Sequence, residues 1–113
     1  MEVAIIGGGI VGLALALGLK QRGIESRVYE AAPEIREIGV GITLLPHAMR
    51  ELTGLGLGEE ARAAGIELHT SAFYNRFGQQ IYSEPRGLAG GSPYPEVSIH
   101  RGRLHTLLHK AAL

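Results

Sequence analysis

The chain has 113 residues, 45% of them hydrophobic, and eleven Lys and Arg balance eleven Asp and Glu to a formal net charge of zero. This length supports one domain or part of one, and at this size folding buries about 65% of the unfolded surface. A neutral chain offers no basic face to nucleic acid, and the absence of cysteine removes disulfides, thiolate metal sites and cysteine nucleophiles.

Residues Val3 to Gly12 read V-A-I-I-G-G-G-I-V-G, a short apolar strand that breaks straight into Gly7-x-Gly9-x-x-Gly12. The first glycine permits a tight turn, the second lets backbone approach a pyrophosphate, and the third lets the next helix pack close to the strand. That helix is expected over Ile10 to Arg22, its N-terminus aiming unpaired N–H groups at the anion. The apolar stretch Val3 to Leu19 is no signal peptide or membrane span. It carries Gly7 to Gly9 in its middle, follows Glu2 where a signal would be basic, and falls short of about 20 residues. The chain therefore reads as soluble and cytoplasmic.

Gly23 caps the helix, and Glu25 to Tyr29 form a second strand ending at Glu30, 18 positions beyond Gly12. About 20 residues is the spacing expected for an acidic residue that accepts two ribose hydroxyls and repels a 2′-phosphate, which favours FAD or NAD over NADP. The segment from Ala31 to Gly41 reads as a polar connection. A short helix then starts at Pro46 and stops at Gly54, and a second covers Glu59 to Ala64. The alternation over Glu67 to Tyr74, the turn Asn75 to Gly78 and the strand Gln80 to Glu84 predict a β-hairpin. A Gly/Pro-rich loop over Pro85 to Pro95 leads to a brief strand, Val97 to Ile99. The final helix, Arg101 to Ala112, carries Leu104, Leu107, Leu108 and Ala111 on one stripe. His100, His105 and His109 lack a carboxylate cluster and a clear third ligand, so no metal site is assigned, and His100 reads as structural.

Three stretches together resemble the N-terminal part of the single-component FAD-dependent aromatic hydroxylases, the salicylate and hydroxybenzoate hydroxylase group. They are G-G-G-I-V-G-L-A-L-A-L from Gly7, Y-E-A-A-P-E-I-R-E-I-G-V-G-I-T-L-L-P-H-A from Tyr29, and S-I-H-R-G-R-L-H-T-L-L from Ser98. The resemblance implies an α/β chain, a partial Rossmann-like FAD-binding fold of the glutathione-reductase type with an inserted β-hairpin. Residues 1–66 would be a βαβ core with two short helices, 67–99 a hairpin and strand leading toward a substrate domain, and 100–113 a helix returning to the FAD domain. It implies FAD as cofactor, NAD(P)H as co-substrate, and hydroxylation of a small aromatic substrate with dioxygen.

Carried over by position, the resemblance places Gly7, Gly9 and Gly12 at the FAD pyrophosphate and Glu30 at the adenosine ribose. Val40 and Gly41 would run past the cofactor, and Arg101 would reach the ribityl–pyrophosphate region. Arg36 is a weaker candidate. Pro46-His47-Ala48 departs from the family's Pro-Asn-Ala, and Ala31 stands where some relatives have a basic residue. Family members are several times longer, and the missing part carries the Gly-Asp motif at the flavin and most of the substrate pocket. The chain is thus expected to be a fragment, a shortened gene product or one half completed by another chain. Self-association through the open edge of its first strand is a further outcome. No residue is a candidate catalytic acid or base, and activity by this chain alone is not expected. A related non-hydroxylating flavoprotein, an NAD-binding regulatory module and an inactive fragment remain as alternatives.

Overall fold

The computed structural model describes residues 1–34 and 39–113. In chain order its elements are β1 (Glu2–Ile6), α1 (Ile10–Gln21), β2 (Glu25–Tyr29), β3 (Gly41–Leu44), α2 (Pro46–Gly54), α3 (Gly58–Ala64), β4 (Ile66–Leu68), β5 (Thr70–Tyr74), β6 (Gln80–Pro85), β7 (Glu96–His100) and α4 (Arg101–Ala112). They fall into two compact units, Met1–Gly41 with His100–Leu113, and Ile42–Ile99.

In the first unit, β1 and β2 pair in parallel, Glu2 opposite Glu25 and Ile6 opposite Tyr29. Parallel neighbours require a crossover, and α1 supplies it. One residue of the strand, Ile5, is buried, together with Leu13, Ala16 and Leu17 of α1. Helix α4 packs on α1 and adds Leu104 and Leu108, four residues apart and therefore on one face. Each large side chain buried here contributes about 1.5–3 kcal/mol relative to exposure. Val11 (82% exposed) and Ile6 (83% exposed) stand outside this core, at the end of β1 and the start of α1.

The second unit is held by Leu44, Met49, Leu52, Leu57, Ala61, Val97 and Ile99, all buried. Its three-stranded sheet runs β3-β7-β4, and a separate antiparallel pair joins β5 and β6. An ion cluster ties the end of this hairpin to β7. Arg86 grips the buried carboxylate of Glu96 through Nε and Nη2, with the Nη2 contact at 2.9 Å, and reaches Glu84 through Nη1 at 3.0 Å. Arg86→Met leaves Glu96 buried without its cation and is expected to lower the melting temperature clearly, whereas Glu84→Gln changes it little. Thermal melts followed by circular dichroism check the difference.

Most expected elements are found within one or two residues of their sequence boundaries. Two differ. The single strand expected over Glu67 to Tyr74 is two strands in two sheets: β4 pairs with β7, while β5 pairs with β6. The chain changes partner between Leu68 and Thr70: Leu68 pairs with Glu96 of β7, while the His69 carbonyl accepts from Arg86 N–H at 2.8 Å, in register with the Thr70–Pro85 pair, and so already follows β6. Side-chain alternation runs unbroken through such a switch, so the sequence carries no mark of it. The second difference is β3, which begins at the last residue of the expected polar connection and runs toward Pro46, where no strand was expected. Its partner β7 lies more than fifty residues away, and a four-residue G-I-T-L segment has too little local pattern to declare itself. The loop from Pro85 also contains one 3₁₀ turn, Gly87–Gly90.

Candidate functional site

The first unit builds its site at the junction of β1, α1 and β2. Gly7 adopts φ +106°, a conformation that L side chains rarely take, and its N–H donates to Tyr29 O at 2.7 Å, closing the turn against the end of β2. Gly9 is the N-cap of α1 and has no side chain to cap it. The first helical bond runs from Leu13 N–H to Gly9 O at 3.0 Å, so the N–H groups of Gly9, Ile10, Val11 and Gly12 lie outside the helical ladder. Gly12 faces the turn so closely that a Cβ there would collide with the Gly7 carbonyl oxygen and come within 3.4 Å of Ile5 Cγ2. The strand and helix can approach this closely only because that position is bare.

Glu30, just past β2, turns its carboxylate into the same turn. Oε1 accepts from Gly8 N–H at 2.8 Å and Oε2 from Ala32 N–H at 2.9 Å. These backbone donors, Ala32 first and Gly8 second, hold the carboxyl below the usual carboxylate range against the opposing effect of desolvation, with smaller contributions from the Ala31 N–H and then from His105. Because the folded value lies below the unfolded one, the group's contribution to stability is present above the ordinary glutamate range. It is lost as pH falls through the lowered, folded-state value. Each carboxylate oxygen accepts one of these two bonds and has a further lone pair, so the group retains acceptor capacity for hydroxyl donors.

The sequence-derived residues thus form two groups. Gly7, Gly9, Gly12 and Glu30 meet in one turn. Val40 and Arg101 form a second pair, in which Arg101 N–H donates to Val40 O at 3.0 Å, and Arg101 stands one turn of α4 before His105. Val40, Gly41 and Arg101 are exposed, and the Arg101 guanidinium makes no hydrogen bond or ion pair among the described residues. Arg36 lies outside the described residues.

Two participants were not singled out from the sequence. Gly8 supplies the N–H that seats Glu30, and its own carbonyl lies 2.6 Å from His105 Nε2 on α4. The glycine run itself points to Gly8. Nothing local points to His105, because its partner is 97 residues away. His100 is the N-cap of α4, its Nδ1 accepting from Gly102 N–H at 3.1 Å.

Anions are held at such a turn by helix N–H groups and the helix dipole, and a ribose by a strand-end carboxylate. This geometry fits a dinucleotide. A family model described as the FAD binding domain matches residues 1–112. The chain is 47% identical over 108 residues to phenazine 1,6-dicarboxylic acid hydroxylase of Lysobacter antibioticus, covering 95% of this chain and 26% of that protein. It is 41% identical over 117 residues to 3-hydroxybenzoate 6-hydroxylase 1 of Aquipseudomonas alcaligenes, covering 97% of this chain and 29% of that one. Among solved structures it matches Klebsiella pneumoniae HpxO complexed with FAD and uric acid, with a TM-score of 0.86 and 29% identity, over 97% of this chain and 28% of that chain. The chain thus spans under a third of the length of these relatives. Among the described residues no helix is long and apolar enough to cross a membrane. The α/β turn, the unfilled position at Gly12 and the match over residues 1–112 together show that the chain belongs to the FAD binding domain family.

Proposed function

We propose that this chain is the FAD-binding part of a flavin-dependent monooxygenase that hydroxylates a small aromatic substrate with NAD(P)H and dioxygen. The observation that carries the reading is the Glu30 carboxylate seated on Gly8 N–H at 2.8 Å, beside the open N-terminus of α1. Gly7 and Gly12 shape the turn, and the Gly9 end of α1 offers its N–H groups to the pyrophosphate. Glu30 accepts the ribose hydroxyls, and its fixed negative charge disfavours a 2′-phosphate. Val40 and Gly41 offer backbone to the cofactor. Arg101, exposed at the start of α4, offers a guanidinium whose forked donors suit the phosphate or ribityl oxygens. Bound FAD supplies the redox chemistry, while this chain's residues bind and orient it.

The names of the relatives support aromatic hydroxylation over a non-hydroxylating flavoprotein. The division of residues 1–66, 67–99 and 100–113 into FAD core, link to a substrate domain and returning helix belongs to the same reading. So do a cytoplasmic location, no nucleic-acid partner, and completion of the β1 edge by further polypeptide or a second copy. Adding an aromatic acid to the protein that carries this segment is expected to accelerate NAD(P)H oxidation and consume dioxygen. An oxidation rate indifferent to every small aromatic compound, acidic or neutral, would contradict hydroxylation.

Arg101→Ala is expected to weaken FAD binding about tenfold, the loss of one charge-assisted contact, with the melting temperature unchanged. Flavin fluorescence titration and a thermal melt of the same sample check both halves.

A further inference from the structure

We propose that His105 is a positioning residue for the cofactor, holding the Gly8–Gly9 peptide so that the Gly9 N–H is aimed at the phosphates. The proposal rests on the FAD reading above.

His105 Nε2 lies 2.6 Å from the Gly8 carbonyl oxygen. A carbonyl can only accept, so Nε2 carries the proton, and the ring is either the Nε2–H tautomer or the cation. The Gly8 carbonyl and the Gly9 N–H belong to one planar trans peptide and point in opposite directions. Pinning the oxygen on the α4 side therefore fixes where the Gly9 N–H points. The preceding peptide is fixed in the same way, by Gly8 N–H on Glu30 Oε1 at 2.8 Å. Two successive peptide planes of the glycine turn are thus tied by side chains 22 and 97 residues away in sequence. The turn needs such ties because glycine backbone is otherwise loose. Ordering it before the ligand arrives removes that cost from binding. His105 is half-buried against a buried Gly8, and no bond to its Nδ1 is seen among the described residues, so the Gly8 contact is what orients the ring.

The test compares the wild-type chain with His105→Leu, which removes the donor, and His105→Gln, whose amide nitrogen restores one at similar reach. Imidazole ¹⁵N resonances of the unligated chain are expected to show Nε2 protonated. His105→Leu is expected to bind FAD about tenfold more weakly and to speed hydrogen exchange at the Gly9 amide, while His105→Gln recovers most of the affinity. An Nδ1–H tautomer in the wild type overturns the proposal, as does a Leu variant that binds FAD like wild type or a Gln variant as weak as Leu. If His105→Leu does not fold, the tautomer and the Gln variant decide. A wild-type chain that binds no FAD defeats the FAD reading of the isolated chain, and the tautomer and Gly9 exchange then decide the His105 contact without any ligand.

Discussion

Gly12→Ala is expected to destabilise the chain by about 2–3 kcal/mol and to abolish FAD binding, although it places a better helix former in the first turn of α1. Alanine's helix propensity alone would stabilise by about 1 kcal/mol over glycine. The collision outweighs it, because the new Cβ meets the Gly7 carbonyl oxygen, with the Gly7 carbonyl carbon at 3.1 Å and Ile5 Cγ2 at 3.4 Å. Backbone in a tight turn cannot swing aside as a flexible side-chain end can. Relief requires the start of α1 to lift off β1, which also dismantles the turn that seats Glu30. Gly18→Ala in the same helix is the control: its Cβ would find only Arg22 Nη1 at 3.8 Å. That variant is expected to gain up to about 1 kcal/mol and to keep its affinity for FAD. Paired thermal melts give the answer directly, since about 1 kcal/mol moves the midpoint by roughly 4–8 °C in a domain of this size. A Gly12→Ala chain that melts at or above wild type would contradict the close approach.

The second large effect is expected at Glu30. Glu30→Ala removes the acceptor proposed for two ribose hydroxyls and leaves the Gly8 and Ala32 N–H groups without their carboxylate. FAD affinity is expected to fall about a hundredfold, consistent with two hydrogen bonds to a charged acceptor. Glu30→Gln keeps one acceptor but turns an amide NH₂ toward a backbone donor, so it is expected to fall between. The pH dependence separates charge from shape. The backbone donors hold this carboxyl below its ordinary range, so wild-type binding should stay level as pH falls through that range and weaken only once the lowered value is reached. The Gln variant should lack that acidic limb. Isothermal titration across pH checks both expectations, and a wild-type affinity that declines within the ordinary glutamate range would show that the backbone bonds do not hold the charge.

The glycine turn was legible because it is local. A strand, three glycines and a helix occur within about twenty residues, and Gly7 and Gly12 have conformational and steric reasons that their spacing anticipates. Glu30 was legible because the crossover length in a βαβ unit is nearly fixed, which converts a sequence interval into a spatial contact. What was hidden is non-local. β3 depends on β7, the change of partner after Leu68 depends on where β7 and β6 lie, and the contact between His105 and Gly8 depends on α4 folding back against α1. A helical stripe shows which residues of α4 face inward, but not which carbonyl a histidine beside that stripe will meet. Arg101 lies between these cases: its place at the start of α4 could be read, while its contact with Val40 is made by backbone and leaves no signature in side-chain type.

The most direct test of FAD binding is a titration of the purified chain with FAD, followed by flavin fluorescence and repeated with NAD as competitor. Saturable binding that NAD does not displace, and that Gly12→Ala and Glu30→Ala remove, is the expected result. A folded chain that takes up no FAD, or one that NAD displaces at comparable concentration, would contradict FAD as the ligand this chain holds by itself.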